Sequence, residues 1–135
     1  MARLTMILGL CGSGKSWLAE RLGEQTGALL FDEPIGRNHE TEIVQHLRAG
    51  RNCVVEEFFY CVESHRSKFV RLASAIPGVE IEFICYENDL EAANWNVRRR
   101  RNKGRVQEHL DLNNSVSPHY TYPDNSVRRP IFRIE

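Results

Sequence analysis

The sequence predicts an α/β fold, a mostly parallel sheet flanked by helices on both faces, within a single domain spanning residues 1–135. Three observations predict it. Short apolar runs alternate with segments of helical periodicity from Leu4 to Val97. Strand followed by helix followed by strand implies βαβ units, whose right-handed crossovers build a parallel sheet. A chain of 135 residues buries a substantial core as one domain, and no repeat or linker divides it.

The elements follow in order. "LTMILGL" (4–10) is short, apolar and followed by glycines, as a buried strand is. Leu18, Ala19 and Leu22 then recur at helical spacing, and Gly27 supplies a stop. "ALLF" (28–31) reads as a second strand ending at Asp32. In "NHETEIVQHLRAG", Asn38 is the expected cap, Glu40 and Glu42 occupy the first turn, Ile43, Val44 and Leu47 form the stripe, and Gly50 closes the helix. "CVVEEFF" (53–59) gives a third strand. Phe69, Leu72, Ala73 and Ile76 mark a helix that Pro77-Gly78 terminates, and "VEIEFICY" (79–86) reads as a fourth strand. Asn88 with Glu91 resembles a capping box before Leu90, Ala93 and Val97. From Val106 the periodicity weakens: 106–135 reads as a loop-rich tail, with "IFRIE" as a last edge strand.

Composition narrows the class. The chain is 41% hydrophobic and 27% charged, the profile of a globular protein. Its 18 basic and 18 acidic residues balance, so bulk charge gives no reason to expect nucleic-acid or membrane binding. No apolar stretch approaches the roughly 20 residues that span a bilayer. Cys11, Cys53, Cys61 and Cys85 form no CxxC pair and suggest neither a zinc site nor a disulfide scaffold. A reduced, cytoplasmic setting is expected.

The most specific signal is Gly9-Leu10-Cys11-Gly12-Ser13-Gly14-Lys15-Ser16, which fits GxxxxGK[ST] at every fixed position. The chemistry explains the residue types. An oligophosphate must keep hydrogen bonds as it leaves water, and amides at the start of a helix supply donors aided by the helix dipole. Glycines let that backbone approach closely and adopt positive φ. Lys15 then reaches the β and γ phosphates, and the Ser16 hydroxyl is offered to Mg²⁺. The bland alternative is a glycine turn joining strand to helix; Cys11 reads as a small loop side chain. The motif predicts a sandwich of the P-loop NTPase type, with Gly9, Cys11, Gly12, Ser13, Gly14, Lys15 and Ser16 around the phosphates.

Three carboxylates are expected at the carboxyl ends of the strands, where such sheets bind ligands. Asp32 is placed to meet a phosphate acceptor, and Glu56 to help hold a magnesium shell; Glu57 competes with Glu56 because strand register is open. Loop solvation alone also puts acids at strand ends. "RRRRNKGR" gathers five arginines and one lysine into eight positions. On a helix, Arg98, Arg101 and Arg105 share one side, from which they could close over a triphosphate as a lid near 88–105. A solvated basic face is the rival, and a nucleic-acid groove is only weakly supported without interleaved aromatics. The five histidines show no ligand spacing, and Trp17 and Trp95 read as packing residues.

The sequence resembles the small P-loop kinases, especially the ATP-binding group that includes phage polynucleotide kinase, zeta toxin-like and gluconate kinase-like proteins. The resemblance runs from Leu4 to about Arg105 through "GLCGSGKS", "LLFDE", "GRNCVVEE" and "ENDLEAANWNVRRRRNKGR". It implies ATP and Mg²⁺ as cofactors, with Asp32 as general base toward the acceptor hydroxyl. It also implies Glu56 as an acid assisting metal or substrate and an arginine lid within 98–105. The family usually carries Asp with a small polar residue in the third-strand motif; here Glu56-Glu57 is followed by Phe58-Phe59-Tyr60, a different acceptor pocket. The expected activity is transfer of the γ-phosphate of Mg-ATP to a hydroxyl of a nucleoside, nucleotide, polynucleotide end or other small molecule. The alternative is a nucleotide-binding or slowly hydrolysing module acting as a switch or through a protein partner.

Overall fold

The strand leading into the glycine loop is apolar on both sides: Leu4, Met6, Ile7 and Leu8 are all fully buried. That demand falls on the central strand of a parallel sheet covered on both faces. In the computed structural model, which describes residues 1–135, this strand is β1 (Arg3–Leu8), and it lies at the middle of five. β2 (Leu29–Asp32), β3 (Cys53–Glu56), β4 (Glu80–Tyr86) and β5 (Val127–Arg129) complete the order β2-β3-β1-β4-β5, and every pairing is parallel.

Six helices connect the strands: α1 (Lys15–Thr26), α2 (Pro34–Arg37), α3 (Glu40–Arg48), α4 (Glu63–Ser74), α5 (Leu90–Arg98) and α6 (Val106–Val116). α1 runs along β1, β2 and β3 on the face carrying Glu56. α3 lies on the opposite face, where the Phe31 ring meets His39 and His46, and α4 packs beside it against β4. The α3 stripe of Ile43, Val44 and Leu47 is buried as expected, and Tyr60 stacks on Phe69 between the third strand and α4. α1 stops at Gly27, which takes φ 71° and returns its N–H to the Gly23 carbonyl. The architecture is the α/β sandwich of P-loop NTPases.

Several boundaries differ from the sequence reading, each for a physical reason. α5 ends at Arg98, so the arginine run leaves the helix after its first residue. Four successive like charges followed by Asn102 and Gly104 give a helix little to hold it. A second helix, α6, then forms across a stretch expected to be loop. Its inward residues are Leu110, Asn113 and Val116, and the buried Asn113 interrupts the apolar stripe that would have announced it. The last strand is Val127–Arg129, not Ile131–Glu135. Asp89 rather than Asn88 caps α5, accepting from the Ala92 amide at 3.0 Å, and His39 rather than Asn38 occupies the cap of α3.

Candidate functional site

The loop from Gly9 to Ser16 leaves β1 and enters α1 at the carboxyl end of the sheet. Gly12 and Gly14 take φ 90° and 107°, conformations that side chains resist. Gly12 is also confined sterically, because a Cβ there would run into the Ala93 carbonyl of α5. The amides of Gly12, Gly14, Lys15, Ser16 and Trp17 have no acceptor within the protein, whereas Ser13 donates back to the Leu10 carbonyl at 3.1 Å. Lys15 Nζ reaches the Leu10 carbonyl at 3.1 Å, curling over the loop.

Side chains from three other elements fix the loop's backbone. Asn113 of α6, fully buried, donates to the Cys11 carbonyl and accepts from the Cys11 amide, both at 2.8 Å, and it also donates to Asn94 Oδ1 at 3.0 Å. Asn96 of α5 donates to the Gly12 carbonyl at 2.9 Å, and the Tyr86 hydroxyl donates to that of Gly14 at 3.2 Å. Carbonyls held outward leave the neighbouring amides aimed into the cleft, the arrangement an anion needs. Cys11 stands apart from its neighbours: Asn113 takes both its backbone groups, and burial pushes its thiol pKa up.

The carboxylates separate by role. Ser16 Oγ donates to Glu56 Oε1 at 3.3 Å. Glu56 stands beside Asp32 in the parallel register of β3 and β2, and its own carbonyl accepts from the Glu33 amide. Burial pushes the Glu56 carboxyl above its ordinary range; Lys15 acts the other way, while Asp32 adds to the rise. Glu57 is also buried but faces elsewhere, accepting from the Ile35 amide at the start of α2 and from the Phe59 amide, each at 3.0 Å. Glu56, not Glu57, is therefore the acid beside the glycine loop. Asp32 is half-exposed and paired with Arg37 at 3.4 Å.

The donor set fits a magnesium-bound oligophosphate. The unpaired loop amides, Lys15, and the Ser13 hydroxyl, which is buried without a partner, face an anion's requirements. No group of three or more His, Cys, Asp or Glu could hold a metal alone. Magnesium does not need one, since a hydroxyl, a carboxylate, waters and phosphate oxygens suffice. Ser16 and Glu56 would hold that ion, which would neutralise charge on a bound phosphate.

The arginines are not where a single helical lid would put them. With α5 ending at Arg98, the residues Arg98, Arg101 and Arg105 do not share a helical face, and none of them lines the cleft over the loop. Arg105 is exposed and forks onto Glu108 at 2.8 and 2.9 Å. Arg99 lies over the Trp95 ring, 3.1 Å from its centroid. Arg100, which also touches His109, lines the cleft of about 510 Å³ together with Arg129. Phe132, Ile134 and Trp17 form the apolar side of that cleft. Arg129, Phe132 and Asn96 carried no motif, and Arg100 was one of four identical neighbours; only the α5–α6 break singles it out.

All four cysteines are free and buried, and no helix is long and apolar enough to cross a membrane.

The fold is the P-loop-type α/β sandwich, and the solved structural neighbours of the chain include small kinases. A gluconokinase from Sinorhizobium meliloti 1021 superposes with a TM-score of 0.62 at 16% identity, over 96% of this chain and 83% of its own. A sugar kinase from Janibacter sp. HTCC2649, unliganded, gives 0.64 at 13% identity, over 97% of this chain and 85% of its own. Shikimate kinase from Acinetobacter baumannii, in complex with shikimate, gives 0.55 at 13% identity, over 98% and 84%. At these identities the likeness is one of fold. No protein-family profile matches the chain, and no curated protein matches it in sequence.

Proposed function

We propose that the protein is an ATP-dependent phosphotransferase that moves the γ-phosphate of Mg-ATP to a hydroxyl of a small acceptor. The observation that carries this reading is the Ser16–Glu56 hydrogen bond at the mouth of a loop whose amides lack partners, with Asp32 beside Glu56 in the sheet. Loop amides and Lys15 bind the phosphates; Arg100 and Arg129 face the same cleft and oppose the charge that spreads during transfer. Asp32, at the end of β2, accepts the acceptor's proton once the Arg37 guanidinium is displaced or shared. The fold-level likeness to gluconate-, sugar- and shikimate-phosphorylating enzymes agrees with a small hydroxyl compound as acceptor.

A second reading, a nucleotide-binding or slowly hydrolysing module, draws support from the brevity of the acceptor side. Between β2 and α3 the chain runs only from Glu33 to His39, with the four-residue α2 inside that stretch, and Asp32 already has a cationic partner. Labelled ATP incubated with a panel of sugars, sugar acids, nucleosides and 5′-hydroxyl oligonucleotides separates the readings. Transfer of label to one acceptor class supports the kinase. Release of inorganic phosphate alone, whatever the acceptor, overturns it in favour of the module.

A further inference from the structure

Phe132 and Ile134 join Trp17 on the apolar side of the cleft, from a segment that carries no secondary structure and is held by three side chains of α5, Glu91, Trp95 and Asn96. Asn96 makes the central connection. Its amide nitrogen donates to the Gly12 carbonyl at 2.9 Å and to the Phe132 carbonyl at 2.8 Å, and its Oδ1 accepts from the Ile134 amide at 2.8 Å. Next to it, Trp95 Nε1 donates to the Ile134 carbonyl at 2.8 Å. Asn96 is only 3% exposed, so these bonds are made out of water, where losing a partner is costly. One planar amide thus joins the apex of the glycine loop to a strap whose side chains, Phe132 and Ile134, stand at the same cleft.

The strap is tied by these contacts, by an Arg133–Glu91 ion pair at 3.3 Å and by Ile131, which is buried in the core. Phe132 is 77% exposed and Ile134 51% exposed, so little apolar burial holds either in place. A flat aromatic ligand lying against Phe132 and Ile134 would bury that surface and order the strap. Because the strap's backbone shares Asn96 with Gly12, the same event would hold the loop's amides in their anion-binding orientation.

We infer that Asn96 is a positioning residue coupling the base-side wall of the cleft to the phosphate loop. Contact of a nucleobase with the Phe132–Ile134 strap then strengthens the loop's grip on phosphate. The inference rests on the nucleotide reading above and adds to it: nucleotides are preferred over inorganic polyphosphates by more than the base's own contacts supply. Asn96 spends its amide on Gly12, Phe132 and Ile134, and acts through Gly12.

Inorganic tripolyphosphate is the discriminating probe, because it engages the loop and not the strap. Affinities of folded protein for magnesium tripolyphosphate and Mg-ATP are measured by calorimetry for wild type, Asn96→Asp, Trp95→Phe and Phe132→Ala. Asn96→Asp keeps the acceptor for Ile134 and removes both donors. Trp95→Phe is the milder variant, losing one strap tether without contacting the loop. The expected result is a threefold or greater loss of tripolyphosphate affinity in both. Phe132→Ala is expected to weaken ATP binding in the wild-type background and markedly less in the Asn96→Asp background. Unchanged tripolyphosphate affinity in Trp95→Phe and in any folded Asn96→Asp, or independent multiplication of the two ATP losses, overturns the coupling. Wild-type protein binding neither ligand removes the nucleotide reading as well; binding of both without coupling removes this inference alone.

Discussion

Ser16 Oγ lies 3.3 Å from Glu56 Oε1, tying the first turn of α1 to the end of β3 across the sheet's central face. The adjacent Glu57 makes no such contact and holds two backbone amides instead. The two neighbouring acids therefore predict opposite phenotypes. Glu56→Gln should remove magnesium-dependent phosphoryl transfer while the fold survives at neutral pH. Glu57→Gln cannot accept both amides equally well and should lose about 1.5–3 kcal/mol of stability, the scale for hydrogen bonds to charged groups. Urea unfolding and transfer assays on the two variants check this, and equal destabilisation would contradict the assignment.

The same glutamate predicts a pH dependence. Burial raises the Glu56 carboxyl above its ordinary value of 4.5, so the fold favours the protonated form. The stability this contributes is fully present below the unfolded-state value and is lost as pH rises through the raised folded-state value. Glutamine stays neutral throughout. Without ligand, the stability of Glu56→Gln relative to wild type should therefore grow from about pH 4 to about pH 7. Paired unfolding curves at the two pH values test it; a difference that stays flat or shrinks contradicts the buried, ligand-free picture of Glu56.

Gly12 joins two constraints, a φ of 90° and contact with the Ala93 carbonyl. Gly12→Ala should cost about 1–3 kcal/mol for the backbone conformation, with steric displacement of α5 added to it. Because the displaced segment carries Asn96, nucleotide affinity should fall more than stability. Gly36 provides the control: it has no positive φ and open space around it, so alanine there should leave both unchanged.

Arg100 and Arg105 offer the test of the lid. Arg100 lines the cleft, whereas Arg105 is exposed and paired with Glu108. Arg100→Ala should lower kcat/KM by about tenfold or more, equivalent to about 1.4 kcal/mol. Arg105→Ala should leave it within about twofold, since exposed ion pairs contribute little. Steady-state kinetics on the best acceptor would decide, and the reverse order would restore a lid built on Arg105.

What the sequence made legible was governed by pattern strength. The glycine loop was readable because each fixed residue answers a separate demand of an anion, and a mostly parallel sheet, though not its strand order, followed from alternating strand and helix. Glu56 and Glu57 could not be told apart, since a one-residue register decides which faces α1 and only strand pairing sets it. The arginine run looked like a helical face because identical residues carry no information about where a helix ends. α6 was hidden by Asn113, a buried polar residue in an apolar stripe, and that residue turned out to hold the Cys11 backbone. The strap's tether could not be read at all: the Phe132 carbonyl and the Ile134 amide bond to Asn96 across the fold, and such bonds leave no local signature.

The central claim is that partner-free amides and Lys15 bind a magnesium-bound nucleoside triphosphate. Calorimetric titration of Mg-ATP into wild type and Lys15→Ala tests it most directly. The account predicts saturable binding by the wild type and at least tenfold weaker binding by the folded variant, a loss of about 1.4 kcal/mol or more. No heat of binding from well-folded wild type with any nucleoside triphosphate, or equal affinity in the variant, would contradict it.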